Sequence, residues 1–178
     1  MIRRLTPILA ARAALALVVL GTAVPTAARA QEAPPAAEFV GLAPEAVRQW
    51  IGSLGADVGE LQRDGGDAFF RVETGGVRWL VFFYGCDPAG LCGDLQYSVA
   101  FDAPGVTDAA INAWNRDRRF LKAYLGTAGD GRPLAFAQYD VLIQGGAPPS
   151  QLADATRIFL EGVVLFDQHL AAARPAAD

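Results

Sequence analysis

Ile111-Asn112-Ala113-Trp114-Asn115-Arg116-Asp117-Arg118-Arg119-Phe120-Leu121-Lys122-Ala123-Tyr124-Leu125 packs a short amphipathic helix, a dense basic cluster and the start of a strand into fifteen residues. Ile111 and Trp114 lie three apart, with Ala110 alongside, which is the spacing of one helix face. From Phe120 the pattern changes to a strand that carries aromatics, so a helix passes directly into a strand. Trp114 is expected to pack against the sheet while its indole N–H finds an acceptor. Asn115 disfavours a helix interior and is expected to hold a specific hydrogen bond; Asn112 is the second candidate to tie the helix end to a loop. Arg116, Arg118, Arg119 and Lys122 have two readings, as partners for carboxylates of the same domain or as a site for an anionic ligand.

Outward from this corner the elements follow from pattern and punctuation. Leu95, Tyr97, Val99 and Phe101 alternate with polar residues as in a half-buried strand, and Pro104-Gly105 ends it. Thr107 supplies an N-cap oxygen and Asp108 a favourable charge for a helix over 108–118. Upstream, Trp79 to Tyr84 is the most apolar run and is expected to be a central strand covered on both faces. Gly75-Gly76 joins it to a strand over 68–73 as a hairpin. A short strand over 57–62 precedes that, and a helix starts at Pro44 with Val47, Trp50, Ile51 and Leu54 on one face. Downstream, the glycines from Gly126 to Gly131 turn the chain into a returning strand over 134–143.

The last predicted helix covers 150–172. Leu152, Ala155, Phe159, Val163, Phe166 and Leu170 form a stripe for the core, and Asp154, Arg157, Glu161 and Gln168 mark the opposite side. Ile158 and Leu165 fall near that polar side. Either a neighbouring loop covers them, or they form an interaction face for a partner or a second copy. The order is α-β(3–4)-α-β-β-α, an α+β fold with a meandering antiparallel sheet and helices on one face.

The ends set the expected compartment. Arg3 and Arg4, an uncharged run from Ala13 to Val24 and Ala28-Arg29-Ala30 are the three parts of a secretory signal peptide over 1–30, cleaved before Gln31. An uncleaved anchor is the competing reading. A Pro/Ala-rich tether over 31–38, a domain over 39–172 and a flexible tail over 173–178 complete the division. The leader holds four of the fifteen basic residues and none of the nineteen acidic ones, so the remainder carries a net charge of about −8. Such a chain is a poor general polyanion binder, and nucleic acid is not an expected partner.

Cys86 and Cys92 are the only cysteines. In an exported protein they read first as a disulfide across the turn Asp87-Pro88-Ala89-Gly90, with free thiols or a redox pair as alternatives. A bridge closing so short a loop stabilises by about 2 to 2.5 kcal/mol in the chain-entropy picture. His169 is the only histidine and is expected on the surface. No nucleophile elbow, phosphate loop or dinucleotide fingerprint occurs, so no cofactor, metal or catalytic residue is expected.

Ile111-Asn112, Trp114-Asn115-Arg116, Arg118-Arg119-Phe120 and Lys122-Ala123-Tyr124-Leu125, followed by Gly131, Leu134, Asp140 and Gly145-Gly146, together resemble the YbjN-domain family. The resemblance extends over roughly 39–170. It implies a fold similar to type III secretion chaperones, a dimeric habit and binding of polypeptide through sheet and helix surfaces, with no catalytic residues. The expected function is therefore an exported, non-enzymatic binding domain engaging a protein partner or its own copy. A small anionic ligand held by the cluster 116–122 is the alternative. A signal peptide and a cysteine pair speak against the cytoplasmic regulatory role that the family's label suggests.

Overall fold

The computed structural model describes residues 41–64 and 67–175. The leader 1–30 and the tether 31–38 lie outside the described residues, as do the last three residues of the tail. Three helices and seven strands follow in the order α1 (Pro44–Ser53), β1 (Asp57–Val58), β2 (Gln62–Asp64), β3 (Asp67–Thr74), β4 (Val77–Cys86), β5 (Cys92–Asp102), α2 (Asp108–Asp117), β6 (Lys122–Thr127), β7 (Pro133–Leu142) and α3 (Pro149–Ala173). All strand pairs are antiparallel, in the order β1-β3-β4-β5-β7-β6, with β2 also beside β3.

Two departures from expectation have physical causes. The short strand over 57–62 is two pieces, because Gly59 to Leu61 place one more residue against β3 than the ladder accommodates. Val58 faces Val72 while Gln62 faces Phe69, the signature of a bulge. The count before α2 is therefore five strands rather than three or four. The meander also stops at α2: β6 is laid down at the sheet edge, and β7 returns between β6 and β5.

The helices share one core with one face of the sheet. Phe70, Val81, Phe83, Leu95 and Tyr97 are fully buried beneath Val47 and Ile51 of α1, Trp114 of α2 and Phe159, Val163 and Phe166 of α3. Every residue of the predicted α3 core stripe is buried. Trp79, Tyr97 and Phe159 meet pairwise with ring centroids 5.2–5.3 Å apart. Beneath them the Tyr97 hydroxyl pairs with Thr156 Oγ1 at 3.0 Å, and Thr156 donates to the Leu152 carbonyl at 2.8 Å.

β4 is central but is covered on one side only. Trp79, Val81 and Phe83 are buried, whereas Leu80, Phe82 and Tyr84 are half-buried on the opposite face. No described helix packs there. Neighbouring aromatics shield one another instead, Phe82 lying 5.5 Å from Phe69 and 6.4 Å from Tyr84 between centroids. Leu54, expected on the inner face of α1, is 56% exposed because the helix has already ended at Ser53.

Turn chemistry fits the chain. Gly75 and Gly76 take φ of 58° and 80°, which a two-residue hairpin of this hand requires. Cys86 and Cys92 are cross-strand partners and form a disulfide. Gly41 lies so close to Cys92 that a Cβ there would overlap its carbonyl oxygen. At the other end α3 runs through Ala173, one residue into the expected tail. Arg174 then donates to the Asp102 carbonyl at 2.6 Å.

Candidate binding groove

The helix-to-strand corner is built from the residues that singled it out. Thr107 caps α2 by accepting from the Ala110 N–H at 3.3 Å. Trp114 is 2% exposed, and its indole N–H donates to the Leu121 carbonyl at 3.0 Å. Its ring packs against α3, 4.9 Å from Phe166 and 5.6 Å from His169 between centroids. Asn115 acts as a substitute strand. Its amide N–H donates to the Ala123 carbonyl at 2.9 Å, and its oxygen accepts the Ala123 N–H at 2.8 Å. The outer edge of β6 is thereby closed at that residue.

The basic residues divide. Arg116 pairs with Asp117 at 2.8 Å, and the hydrogen-bonded guanidinium holds that carboxyl below its ordinary range. Lys122 pairs with Asp140 at 2.7 Å on the open face of the sheet. Partial burial pushes the Asp140 carboxyl up, but the Lys122 ammonium and the Gln96 amide outweigh it and hold it low. Arg118 and Arg119, expected beside carboxylates, make no ion pair among the described residues. They lie over aromatic rings instead, Arg118 5.3 Å from the Trp114 centroid and Arg119 5.1 Å from that of Phe120. Stacking leaves most of each guanidinium's fork of donors free.

These two arginines line a groove of about 530 Å³ between the corner and α3. Its far wall carries Ile158, Glu161, Gly162 and Leu165. Ile158 is half-buried and Leu165 is 40% exposed, so no loop covers them. Gly162 is the hinge of this contact: a Cβ there would come within 2.7 Å of Leu121. The groove thus joins the two features that the sequence offered separately, the basic cluster and the apolar excess of the last helix.

Other singled-out residues lie elsewhere. Asn112 is exposed with no side-chain hydrogen bond among the described residues. Tyr124 stands on the open face, stacked on Phe136 at 5.0 Å and accepting from Gln138 at 3.2 Å. The disulfide closes the β4–β5 turn, at the end of β4 opposite the Gly75-Gly76 hairpin. His169 is half-buried rather than on the surface, its Nε2 2.9 Å from the Ala110 carbonyl oxygen. Sequence reasoning missed Phe120 and Tyr139, whose rings meet at 6.0 Å beside the groove. Only the pairing of β7 brings Tyr139 there, and no local pattern marks it.

A second hollow, of about 470 Å³, lies on the open face, where Arg71 and Arg78 are accompanied by Asp57 and Glu73. The four charges cancel, whereas the groove, lined by Asp117, Arg118, Arg119, Arg157 and Glu161, keeps an excess of one positive charge. Among the described residues no group of three or more histidine, cysteine or acidic side chains is placed to hold a metal ion. No described helix is long and apolar enough to cross a membrane.

An antiparallel sheet shielded on one side by three helices, with its conspicuous corner spent on structure, defines a small α+β domain of the YbjN type. The model of that family, described as "putative bacterial sensory transduction regulator", matches residues 43–172, and the chain belongs to it. Among solved structures the chain is similar to YbjN from E. coli, described as "a putative transcription regulator". The TM-score is 0.54 at 18% identity, over 76% of this chain and 94% of that one, a likeness of fold. No curated protein sequence matches.

Proposed function

We propose that this chain is an exported, non-enzymatic binding domain that engages a protein partner, or a second copy of itself, through the groove between the α2–β6 corner and α3. One observation carries the reading: Arg118 and Arg119, without carboxylate partners, face the uncovered Ile158 and Leu165 across one groove. Partly exposed apolar side chains rimmed by charge are the usual composition of a contact surface. The family's description as regulators, rather than enzymes, is in keeping with it. Export is supported by the three-part leader and by the cysteine pair, which suits an oxidising compartment.

Light scattering on the purified protein, with Ile158→Asp and Leu165→Asp beside it, tests the self-association form. A concentration-dependent dimer that both variants reduce to monomer is expected. A strict monomer unaffected by either substitution removes that form. For a partner protein, co-purification from the cell envelope should be lost in the same variants.

The unpaired guanidinium groups also favour a second reading, a small anionic ligand at the basic rim. It predicts a rise in melting temperature with phosphate or a dicarboxylate that Arg118→Ala and Arg119→Ala abolish. A flat response across such anions eliminates it.

A further inference from the structure

Because Asn115 takes both main-chain groups of Ala123, that residue points away from β7. In an antiparallel ladder both groups of one residue face the same side, and successive residues alternate. Lys122 and Tyr124 therefore bond to β7, and their partners Gln138 and Phe136 face β6. Continued along β7, the alternation turns Asp140 and Leu142 toward the β6 side, and Val141 and Ile143 toward β5. The Ile143 N–H donating to the Gly93 carbonyl at 2.8 Å agrees with this. Yet β6 begins at Lys122, opposite Gln138, so no strand stands beside Asp140 and Leu142. Of their main-chain groups only the Leu142 carbonyl has a partner on that side among the described residues, the Gln151 amide at 3.3 Å.

A cavity of about 490 Å³ runs along this unpaired edge, between β7 and the first turns of α3. Ser150, Gln151, Asp154 and Ile158 form its helical wall. Leu142 beside it is 71% exposed. An uncovered edge with open main-chain groups is a template for another strand unless something blocks it, and here no proline or bulge does.

We propose that the Asp140–Leu142 edge is a peptide slot that takes an extended segment of a partner protein by strand addition. The Asp140 N–H and C=O and the Leu142 N–H hold the segment's main chain. Its side chains alternate between Ile158 on the helix side and Leu142 on the open face. Asp154 on the helical wall, 71% exposed and held only loosely by Arg157 at 3.6 Å, favours a segment carrying lysine or arginine by charge complementarity, whereas the Asp140 carboxylate is already held by Lys122 and Gln96. The inference rests on the reading above that the domain binds polypeptide, and it adds the main-chain groups and the charge of what is bound. Ile158 belongs to both the slot and the groove, so the two sites adjoin.

Amide exchange by NMR on the purified protein tests it. In the free protein the Asp140 and Leu142 amides should exchange at least tenfold faster than those of Val141 and Ile143. Equal protection overturns the slot at once. The blocked hexapeptide Lys-Thr-Val-Thr-Val-Lys should slow both amides at least tenfold. Of two versions N-methylated at alternate residues, one should fail to bind and the other should bind like the parent, because only one set of peptide N–H groups faces β7. Leu142→Pro removes a donor that the sheet itself does not use, and should abolish binding with the melting temperature nearly kept. If that variant does not fold, the methylated pair still decides. Failure of the hexapeptide to bind, or equal binding of both methylated forms, overturns the slot. If the peptide instead shifts only Arg118 and Leu165 signals, the slot fails while the groove stands. Loss of envelope co-purification in Leu165→Asp, which lies in the groove alone, with full co-purification by Leu142→Pro, separates them in the same way.

Discussion

The two halves of the segment from Ile111 to Leu125 use their polar groups in opposite ways. Trp114 and Asn115 spend theirs inside the chain, on the Leu121 carbonyl and on both main-chain groups of Ala123. Arg118 and Arg119, a few residues on, stack on the neighbouring rings of Trp114 and Phe120 and keep their donors for the outside. A cluster that looks uniform in sequence thus divides at the helix terminus. Up to Asp117 the side chains are placed by α2 against α3 and β6. Beyond it the chain has turned outward, and Arg118 is already extended, with φ −120° and ψ 138°.

Trp114→Ala is the most direct way to break the inward half. It removes a buried aromatic that touches Phe166 and His169, and it leaves the Leu121 carbonyl without its donor. Aromatic-to-alanine changes in cores cost about 3–5 kcal/mol, and urea denaturation should show a loss of this size with an unchanged slope. A loss below about 1 kcal/mol would mean that the corner is not anchored by this residue.

Tyr97 and Thr156 provide a second inward polar pair, beneath α3 rather than α2, and their effect can be read by pH. Burial pushes the Tyr97 hydroxyl from 10.0 up to about 12. The folded state thus favours the neutral phenol more than the unfolded chain does. That contribution is complete below about pH 10 and is lost as pH rises toward about 12. Two pK units correspond to about 3 kcal/mol. Stability measured from pH 9 to 12 should therefore fall with this slope, and Tyr97→Phe should flatten it. At neutral pH the same substitution should cost only about 1 kcal/mol, the net value of one hydrogen bond, since Thr156 keeps the Leu152 carbonyl.

Legibility follows the same division between local and distant causes. The α3 stripe, the Thr107 cap, the Gly75-Gly76 hairpin and the Trp114 anchor were readable because periodicity and capping act within a few residues. The place of β6 at the sheet edge was not, since the chain between Asp102 and Lys122 carries no mark of which strand it will pass. Nor was the half-cover of β4. An apolar run such as Trp79 to Tyr84 reads the same whether a helix or a set of neighbouring aromatics shields its second face. Of the site residues, Trp114 and Asn115 were legible in role. Arg118 and Arg119 were legible only as charge, because their surroundings depend on where α3 passes, and Gly162 and Leu121 decide that.

Arg118→Ala and Arg119→Ala sharpen the outward half and should have the smallest effect on stability. Neither arginine has an ion partner to lose among the described residues, and Trp114 remains buried whether or not a guanidinium covers the edge of its ring. An exposed cation–π contact contributes about 0.5–1 kcal/mol, so each single variant should shift the urea midpoint by no more than that. Binding should respond differently. If the groove takes an acidic partner surface, removing one of two unpaired guanidinium groups should lower affinity about tenfold, with a weaker salt dependence than the parent. A pair of variants that unfold as easily as Trp114→Ala would erase the contrast between the halves. Variants with full stability and unchanged partner binding would leave the arginines without a role at this surface.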